Sequence, residues 1–590
     1  MFPGARERLG HLPEQAVQQG RGRVRVGAAA DGTGGGCEVH AIHSFVVQGP
    51  AVFPAHAGCA VREPVTISMA AVPDNRAVPR VPEEPTVHRP PTAEAAIAEE
   101  LAAVRPGLLP RYTARLPGAR AAVLTRLWRA LAHEPLPWLT GRESGAHGLA
   151  LRLADGRTLR GPRADPYATR AYVTAVRLDR ERYEDPARLV AALGVPHGSA
   201  FAAELAHSVA SLALSRAGAD HPKEWPEKDW EWEQRVVDGH PFHPNCRSRP
   251  GFSVADQLAY GPEHGPVVEL GTVPAAAADC LLSGTWPDEL RDGARLLLPV
   301  HPWQAAHVLK RPYDRWRPAR PLMSLRTLAL PGGPHVKTAL SARLTSSVRD
   351  ISVSSVRSAA ALSAFAEDLA ARTDGLLHIT RTLGAATADS PDLAALLRES
   401  PEVYAAPGER VLPVAALATT SLPESPAWLA AFTRLALTVG LRLLDLGVAL
   451  EAHGQNLLVV LSADGTPLRL VYRDLADIRI SPARLARHGI APPALTGRPI
   501  TDDETALRRK LFGSLVAGAL AATAGSGPAL ATALATAVPD LPHTPDLLAL
   551  RQQPLPTKAL TLMRLSPRTP GDQWTVLPNP LVLEGDPSDQ

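Results

Sequence analysis

Apolar positions fall into regular helical and strand spacings only from Thr92 onward. Ala93-Glu-Ala-Ala-Ile-Ala-Glu-Glu-Leu101 and Ala119 to Ala132 predict helices, the second with Val123, Leu127 and Leu131 on one face. Leu149 to Leu159 alternates around Asp155-Gly156, which predicts a hairpin. Phe201 to Arg216 reads as a helix, and Trp225 to Arg235 as a polar helix or loop. A proline-punctuated loop follows Asp238. Strand-like pieces come next, at Val267–Leu270, Leu296–Val300, Leu325–Leu330 and Val336–Leu340. Trp428 to Leu446 predicts a long buried helix stopped by Gly447. Asn456–Leu461 and Leu468–Tyr472 flank Ser462–Thr466 as a second hairpin, and from about Asp503 the pattern is helical. Strands are not interleaved with helices as in βαβ units, so the expected class is α+β.

The first 92 residues differ. Gly34-Gly-Gly36, repeated prolines between Pro73 and Pro91 and few sustained apolar periodicities give too little to bury, so a disordered or mis-annotated extension is expected, with Met69 as an alternative start. At 590 residues the remainder has room for two or three subdomains.

Charge narrows the function classes only a little. Sixty-two Lys and Arg face 59 Asp and Glu, with no basic patch interleaved by aromatics, so nucleic acid is not an expected partner. Four cysteines without a CxxC pair fit a reducing, cytoplasmic compartment. The most apolar run, Leu511 to Val538, is broken by Gly525-Ser-Gly-Pro528 and reads as a buried helix pair rather than a membrane span. Lysine is scarce, at six residues, which makes Lys337 conspicuous.

Three segments carry candidate chemistry. Gly239-His-Pro-Phe-His-Pro-Asn-Cys-Arg-Ser-Arg-Pro-Gly-Phe252 has two histidines three apart, but its prolines forbid a helical metal pair, and no third ligand is near. The better functional reading is a rigid loop presenting His240, His243, Arg247 and Arg249 to an anion. The second segment, Lys337 to Arg349, combines a point charge, the hydroxyls of Thr345 and Ser346, and a guanidinium able to grip a carboxylate or phosphate with two bonds. No GxxxxGK[ST] sequence exists to cradle phosphates instead. The third is Glu451-Ala-His-Gly-Gln-Asn456 with Tyr472-Arg-Asp474. The hairpin brings Glu451, His453, Asn456 and Asp474 to one end, where few carboxylates plus phosphate oxygens suit Mg²⁺.

With these motifs in place the chain resembles the IucA/IucC family, the siderophore synthetases that work independently of non-ribosomal peptide synthetases. The matching pieces are GHPxHPxxxxRxGF at 239–252, Leu298-Pro-Val-His-Pro-Trp-Gln304, the K…TSxxR segment at 337–349, EAHGQN at 451–456 and YRD at 472–474, in family order over roughly residues 93–590. The resemblance implies a cupped hand: a helical thumb over 93–235, β-rich fingers over 236–425 with the ATP and carboxylate site, and a mostly helical palm over 426–590. It further implies that Lys337, Thr345, Ser346, Arg349, His453, Asn456 and Asp474 bind ATP. Mg²⁺ would lie at Glu451 and Asp474, with substrate at His240, Arg247 and Arg349, and Lys337, Arg349 and His453 would act in catalysis. Members are often dimers, so a homodimer is implied. Three departures stand out: Arg247 replaces the usual lysine, His207 stands where asparagine is expected before Ser208, and an acidic residue is missing near Leu377-His-Ile-Thr-Arg-Thr382.

The activity so implied is ATP-dependent ligation. A carboxylate of citrate or of a succinyl or citryl derivative is adenylated, then captured by an amine, hydroxylamine or alcohol. A non-catalytic binder of citrate or iron–siderophore, and a kinase-like phosphotransferase, are the competing readings.

Overall fold

In the computed structural model, residues 92–582 are described, apart from 223, 346 and 496–498. The expected N-terminal extension, the alternative start at Met69 and the candidate Ser346 lie outside the described residues.

The first region opens on helix Ala93–Val104, whose N-cap Thr92 accepts a hydrogen bond from the Ala95 amide. Helix Leu109–His133 follows, ten residues longer at its start than the apolar pattern predicts. Its first turns are polar and contain Pro117, so periodicity alone misses them. Val123, Leu127 and Leu131 are buried as expected, against helix Gly198–Gly218. Each such side chain contributes about 1.5–3 kcal/mol by leaving water. The region is not purely helical. Five short strands between Leu139 and Tyr183 form an antiparallel meander. Only the Asp155-Gly156 hairpin was legible there, because the outer strands run three to seven residues with charged alternate positions.

The middle region carries a nine-stranded sheet. Its strands lie in the order Leu281–Gly284, Thr382–Thr387, Ala394–Arg398, His335–Thr338, Thr327–Ala329, Asp314–Pro321, Val268–Ala276, Arg295–Val300 and Arg291–Asp292. All of its pairings are antiparallel. The expected strand Val336–Leu340 is two elements. His335–Thr338 belongs to the large sheet, and Leu340–Leu344 turns back through Thr345 onto Ser347–Arg349 as a separate hairpin. Gln304 anchors that hairpin. Its side-chain oxygen accepts from the Ser341 amide at 2.8 Å, while its nitrogen donates to Ser341 Oγ at 3.1 Å and the Asp392 carbonyl at 2.9 Å.

In the last region, helix Pro426–Leu446 ends at Gly447, whose φ of 110° lets the chain turn left-handed. A Cβ at Gly447 would come within 2.9 Å of the Leu485 amide nitrogen, so this stop requires glycine twice over. The helix is apolar and long enough to cross a membrane, but most of it is buried in the largest core, with hairpin Leu457–Tyr472 and the C-terminal helices. Beyond Glu504 the helical run bends by 116° at Gly525-Ser526, as the glycine and proline there predict. The chain finally returns to the first region, where the Glu134 carboxylate accepts the amides of Thr561 and Leu562.

Candidate functional site

Asp474 sits two residues past the end of strand Pro467–Tyr472 in the left-handed conformation, with φ 72°, unusual for a residue bearing a Cβ. That backbone aims its carboxylate at the large sheet. Lys337 Nζ lies 2.7 Å from its Oδ2, and Arg398 Nη2 is 3.9 Å from its Oδ1. Lys337 and Arg398 come from adjacent strands, and both are buried. Arg326 also acts on Asp474 electrostatically, while its guanidinium donates to the carbonyls of Arg349 at 2.7 Å and Asp350 at 2.6 Å.

These neighbours shift each other's titration. Burial opposes ionisation of Asp474, but Lys337 and Arg398 outweigh it and hold the carboxyl far below its ordinary range. Burial pulls the Lys337 ammonium down to about 7, against the attraction of Asp474 and with the repulsion of Arg326 and Arg398. Arg326 is lowered to about 10, chiefly by burial. More cations than anions converge here, which is the charge a polyphosphate complements.

Arg349 links this cluster to the second carboxylate. Burial lowers its pKa while Asp474 and Glu451 both raise it, so both acids act on the guanidinium, which donates to the Leu344 carbonyl at 3.4 Å. Glu451 Oε1 is 3.1 Å from Lys510 Nζ and 3.3 Å from Lys558 Nζ; Lys510 also reaches Asp477 at 2.8 Å. Three of the chain's six lysines therefore stand around these acids.

His453 lies just after Glu451, and its Nδ1 accepts the Gln455 amide at 3.3 Å. Burial lowers its pKa first of all, with Glu451 and Asp474 opposing and Lys558 and Arg349 assisting. His240 feels His453, and burial holds its pKa well below the ordinary value. His240 is nonetheless exposed to solvent, and His453 and Arg349 keep partial access. These groups are densely surrounded by protein yet keep contact with solvent. His243 is buried, its pKa lowered to about 3 by burial and by Arg564 and Arg349.

The structure thus gathers Lys337, Arg349, Glu451, His453, Asp474 and His240. Thr345 occupies the hairpin turn at φ 59°, its amide 3.4 Å from the Ser248 carbonyl of the histidine loop. Asn456 turns its side chain back to the Glu451 carbonyl at 3.5 Å. Arg247 requires a correction. Its guanidinium is turned inward rather than presented to a substrate: it donates to the Val236 and Val237 carbonyls and lies 3.7 Å from buried Glu263. Arg249 is likewise turned onto Glu263, at 2.9 Å. Arginine in place of lysine at 247 supplies the extra donors this buried knot uses.

Arg326, Arg398, Lys510 and Lys558 were not anticipated from sequence. The scarcity of lysine was the one available signal, and it points to Lys510 and Lys558 as well as Lys337. No group of three metal-ligating side chains occurs among the described residues. Asp474 and Glu451 are the carboxylates that could meet a divalent cation brought in on phosphate oxygens, and each is already paired with cationic side chains.

Comparison with known proteins agrees with the motifs. Residues 229–419 match the IucA / IucC family model, and residues 426–572 match a model described as ferric iron reductase FhuF-like transporter. Over 42% of its length the chain is 24% identical to a citryl-spermidine/3,4-dihydroxybenzoyl-citryl-spermidine:spermidine ligase of Bacillus anthracis, covering 51% of that protein. It is 29% identical to an N(2)-citryl-N(6)-acetyl-N(6)-hydroxylysine synthase of Vibrio mimicus over 20% of this chain and 26% of that one. The chain thus spans about half the length, or less, of these curated relatives. Among solved structures, the petrobactin biosynthesis protein AsbB from Bacillus anthracis superposes with a TM-score of 0.66 at 19% identity, over 80% of this chain and 97% of that one. ATP-bound aerobactin synthetase IucA from Klebsiella pneumoniae gives 0.62 at 20% identity, over 79% and 99%. The fold is therefore that of these synthetases, and the resemblance to the IucA/IucC family holds.

Proposed function

We propose, from the resemblance to the IucA/IucC family, that this chain is an ATP-dependent siderophore synthetase. It adenylates a carboxylate of citrate or of a succinyl or citryl derivative and joins it to an amine, hydroxylamine or alcohol. The observation that carries the reading is the convergence of Lys337, Arg398, Arg326 and Arg349 on Asp474, from elements far apart in sequence. Such a set would hold a triphosphate and a carboxylate side by side.

A free carboxylate is a poor acyl donor because oxide would have to leave. In the proposed first step its oxygen attacks the α-phosphorus of ATP, and the bond to the β-phosphate oxygen breaks, releasing pyrophosphate. Lys337, Arg398 and Arg326 stabilise the charge that gathers on the phosphates, and Arg349 orients the carboxylate. In the second step the nucleophile attacks the acyl carbon and AMP departs. With Nδ1 accepting the Gln455 amide, the neutral His453 ring presents Nε2–H and orients the reacting groups, while the proton the nucleophile loses passes to solvent or to the departing phosphate. Mg²⁺ would supply further neutralisation of phosphate charge, held by Asp474 with Glu451.

The same reading assigns the thumb to 93–235, the fingers to 236–425 and the palm to 426–590, and places a homodimer in the cytoplasm. Incubating the purified protein with ATP, Mg²⁺ and a panel of polycarboxylates and amines tests it. AMP and pyrophosphate, formed only with an acid from the panel, support the proposal. ADP would assign a phosphotransferase instead, and neither product would leave a binding protein of this fold.

A further inference from the structure

Helix Asp229–Gln234 is only six residues long, yet it carries two buried carboxylates one turn apart, Asp229 and Glu233. Spacing of i, i+4 puts them on one face. Each reaches a different element. Glu233 Oε1 is 2.5 Å from Arg473 Nη2, and its Oε2 accepts the Met323 amide at 3.0 Å. Asp229 Oδ2 is 2.7 Å from His335 Nε2.

The partners matter for what adjoins them. Arg473 immediately precedes Asp474, and its guanidinium also donates to the Gln455 carbonyl at 2.8 and 3.1 Å, while its amide donates to that of Asn456. The residue before the left-handed Asp474 is thereby fixed through both backbone and side chain. His335 lies two residues before Lys337, hence on the same face of its strand, and it pairs across the sheet with Arg398. One short helix therefore sets a buried carboxylate 2.7 Å from the strand bearing Lys337 and, separately, pairs with the residue beside Asp474.

We infer that Asp229 and Glu233 are positioning residues for ATP: they fix the separation of Lys337 and Arg398 from Asp474 without touching the nucleotide. The inference rests on the function proposed above and adds to it. A left-handed aspartate persists only where its surroundings over-determine it, and the Glu233–Arg473 pair is the buried contact adjoining it. Displacement of a clamp by an ångström is enough to cost about 10²-fold in rate.

The test compares wild type with Glu233→Gln, Asp229→Asn and the paired Glu233→Met/Arg473→Met variant. Replacing both members of a buried ion pair with apolar side chains commonly preserves stability, so the paired variant separates positioning from mere folding. Acid-dependent ATP–pyrophosphate exchange, the KM values for ATP and amine, and the ATP-dependent rise in Tm are measured on each. The expected result is a KM for ATP raised about tenfold or more, with the KM for amine within twofold, in every variant that melts like wild type. The paired variant should be no worse than the sum of its parts and should lose the ATP-dependent Tm rise. A paired variant that folds and keeps the wild-type KM for ATP overturns the inference alone. If Glu233→Gln does not fold, Asp229→Asn and the paired variant decide by the same criterion. Wild type showing neither exchange nor an ATP-dependent Tm rise would overturn the proposed function, and this inference with it.

Discussion

Lys337 meets Asp474 at 2.7 Å across 137 positions of sequence, one from an inner strand of the large sheet and the other from a left-handed turn after hairpin Leu457–Tyr472. The contact does more than close an ion pair. It places a buried ammonium next to two guanidinium groups, so that its charge is held at a cost that an incoming phosphate would relieve. A polyanion entering here replaces repulsion among cations with attraction.

Lys337 should give the reaction an alkaline limb near neutrality. An ammonium is charged only below its pKa, and burial brings that value down to about 7. The kcat/KM for ATP, which reports the free enzyme, should therefore fall as pH rises through about 7. In Lys337→Arg the charge persists, so the residual activity, though lower, should stay flat between about pH 6 and 9. Lys337→Ala should abolish hydroxamate formation while the far-UV circular dichroism is unchanged. Wild-type turnover by that variant at saturating ATP would remove this residue from the mechanism.

Arg349 is held electrostatically by both acids, Asp474 and Glu451. Arg349→Ala should lower kcat/KM for the carboxylate by about 10²–10³-fold. Arg349→Lys should recover little of this, because an ammonium lacks the two-pronged donor geometry. Initial rates at varied carboxylate and fixed ATP give the measurement; equal activity of the lysine variant would mean the site needs only charge.

The legible part of this molecule was local. Long periodic segments such as Trp428–Leu446, the hairpins with glycine-bearing loops, and the motif residues themselves follow from neighbours within a few positions. Lys337, Arg349, Glu451, His453 and Asp474 could be named because their types cluster along the chain. Arg398 could not, since it reaches Asp474 only through the register that sets Ala394–Arg398 beside His335–Thr338, some sixty residues earlier. Lys558 joins Glu451 from 107 residues away, with no local pattern to mark it. Arg247 misled for the opposite reason: its motif is local, but whether a guanidinium points at a cleft or at Glu263 depends on a helix-bounded core that periodicity does not specify.

Arg247 should accordingly behave as a structural residue. Arg247→Met leaves the Val236 and Val237 carbonyls without their donor and weakens the compensation of buried Glu263. A loss of about 3 kcal/mol is expected from such a change. Urea denaturation measures it. The KM for carboxylate in the folded fraction should remain within about twofold of wild type, since each 1.4 kcal/mol of lost binding would register as tenfold. A large rise in that KM, with stability intact, would return Arg247 to the substrate.

His453 divides the two chemical steps. Its ring is neutral at physiological pH because burial disfavours the imidazolium, and it neighbours both Glu451 and the cations that would hold the phosphates. A neutral imidazole adds little to stabilising pyrophosphate departure, yet with Nδ1 engaged by the Gln455 amide its Nε2–H is suited to orient the acyl group or the attacking amine. His453→Ala should therefore retain ATP–pyrophosphate exchange within about an order of magnitude while amide or hydroxamate formation falls by about 10²-fold or more. Both are read on one preparation, by isotope exchange and by product chromatography. Exchange and condensation falling together would place the histidine in the adenylation step, and an unchanged variant would leave it as a structural partner of the Gln455 amide.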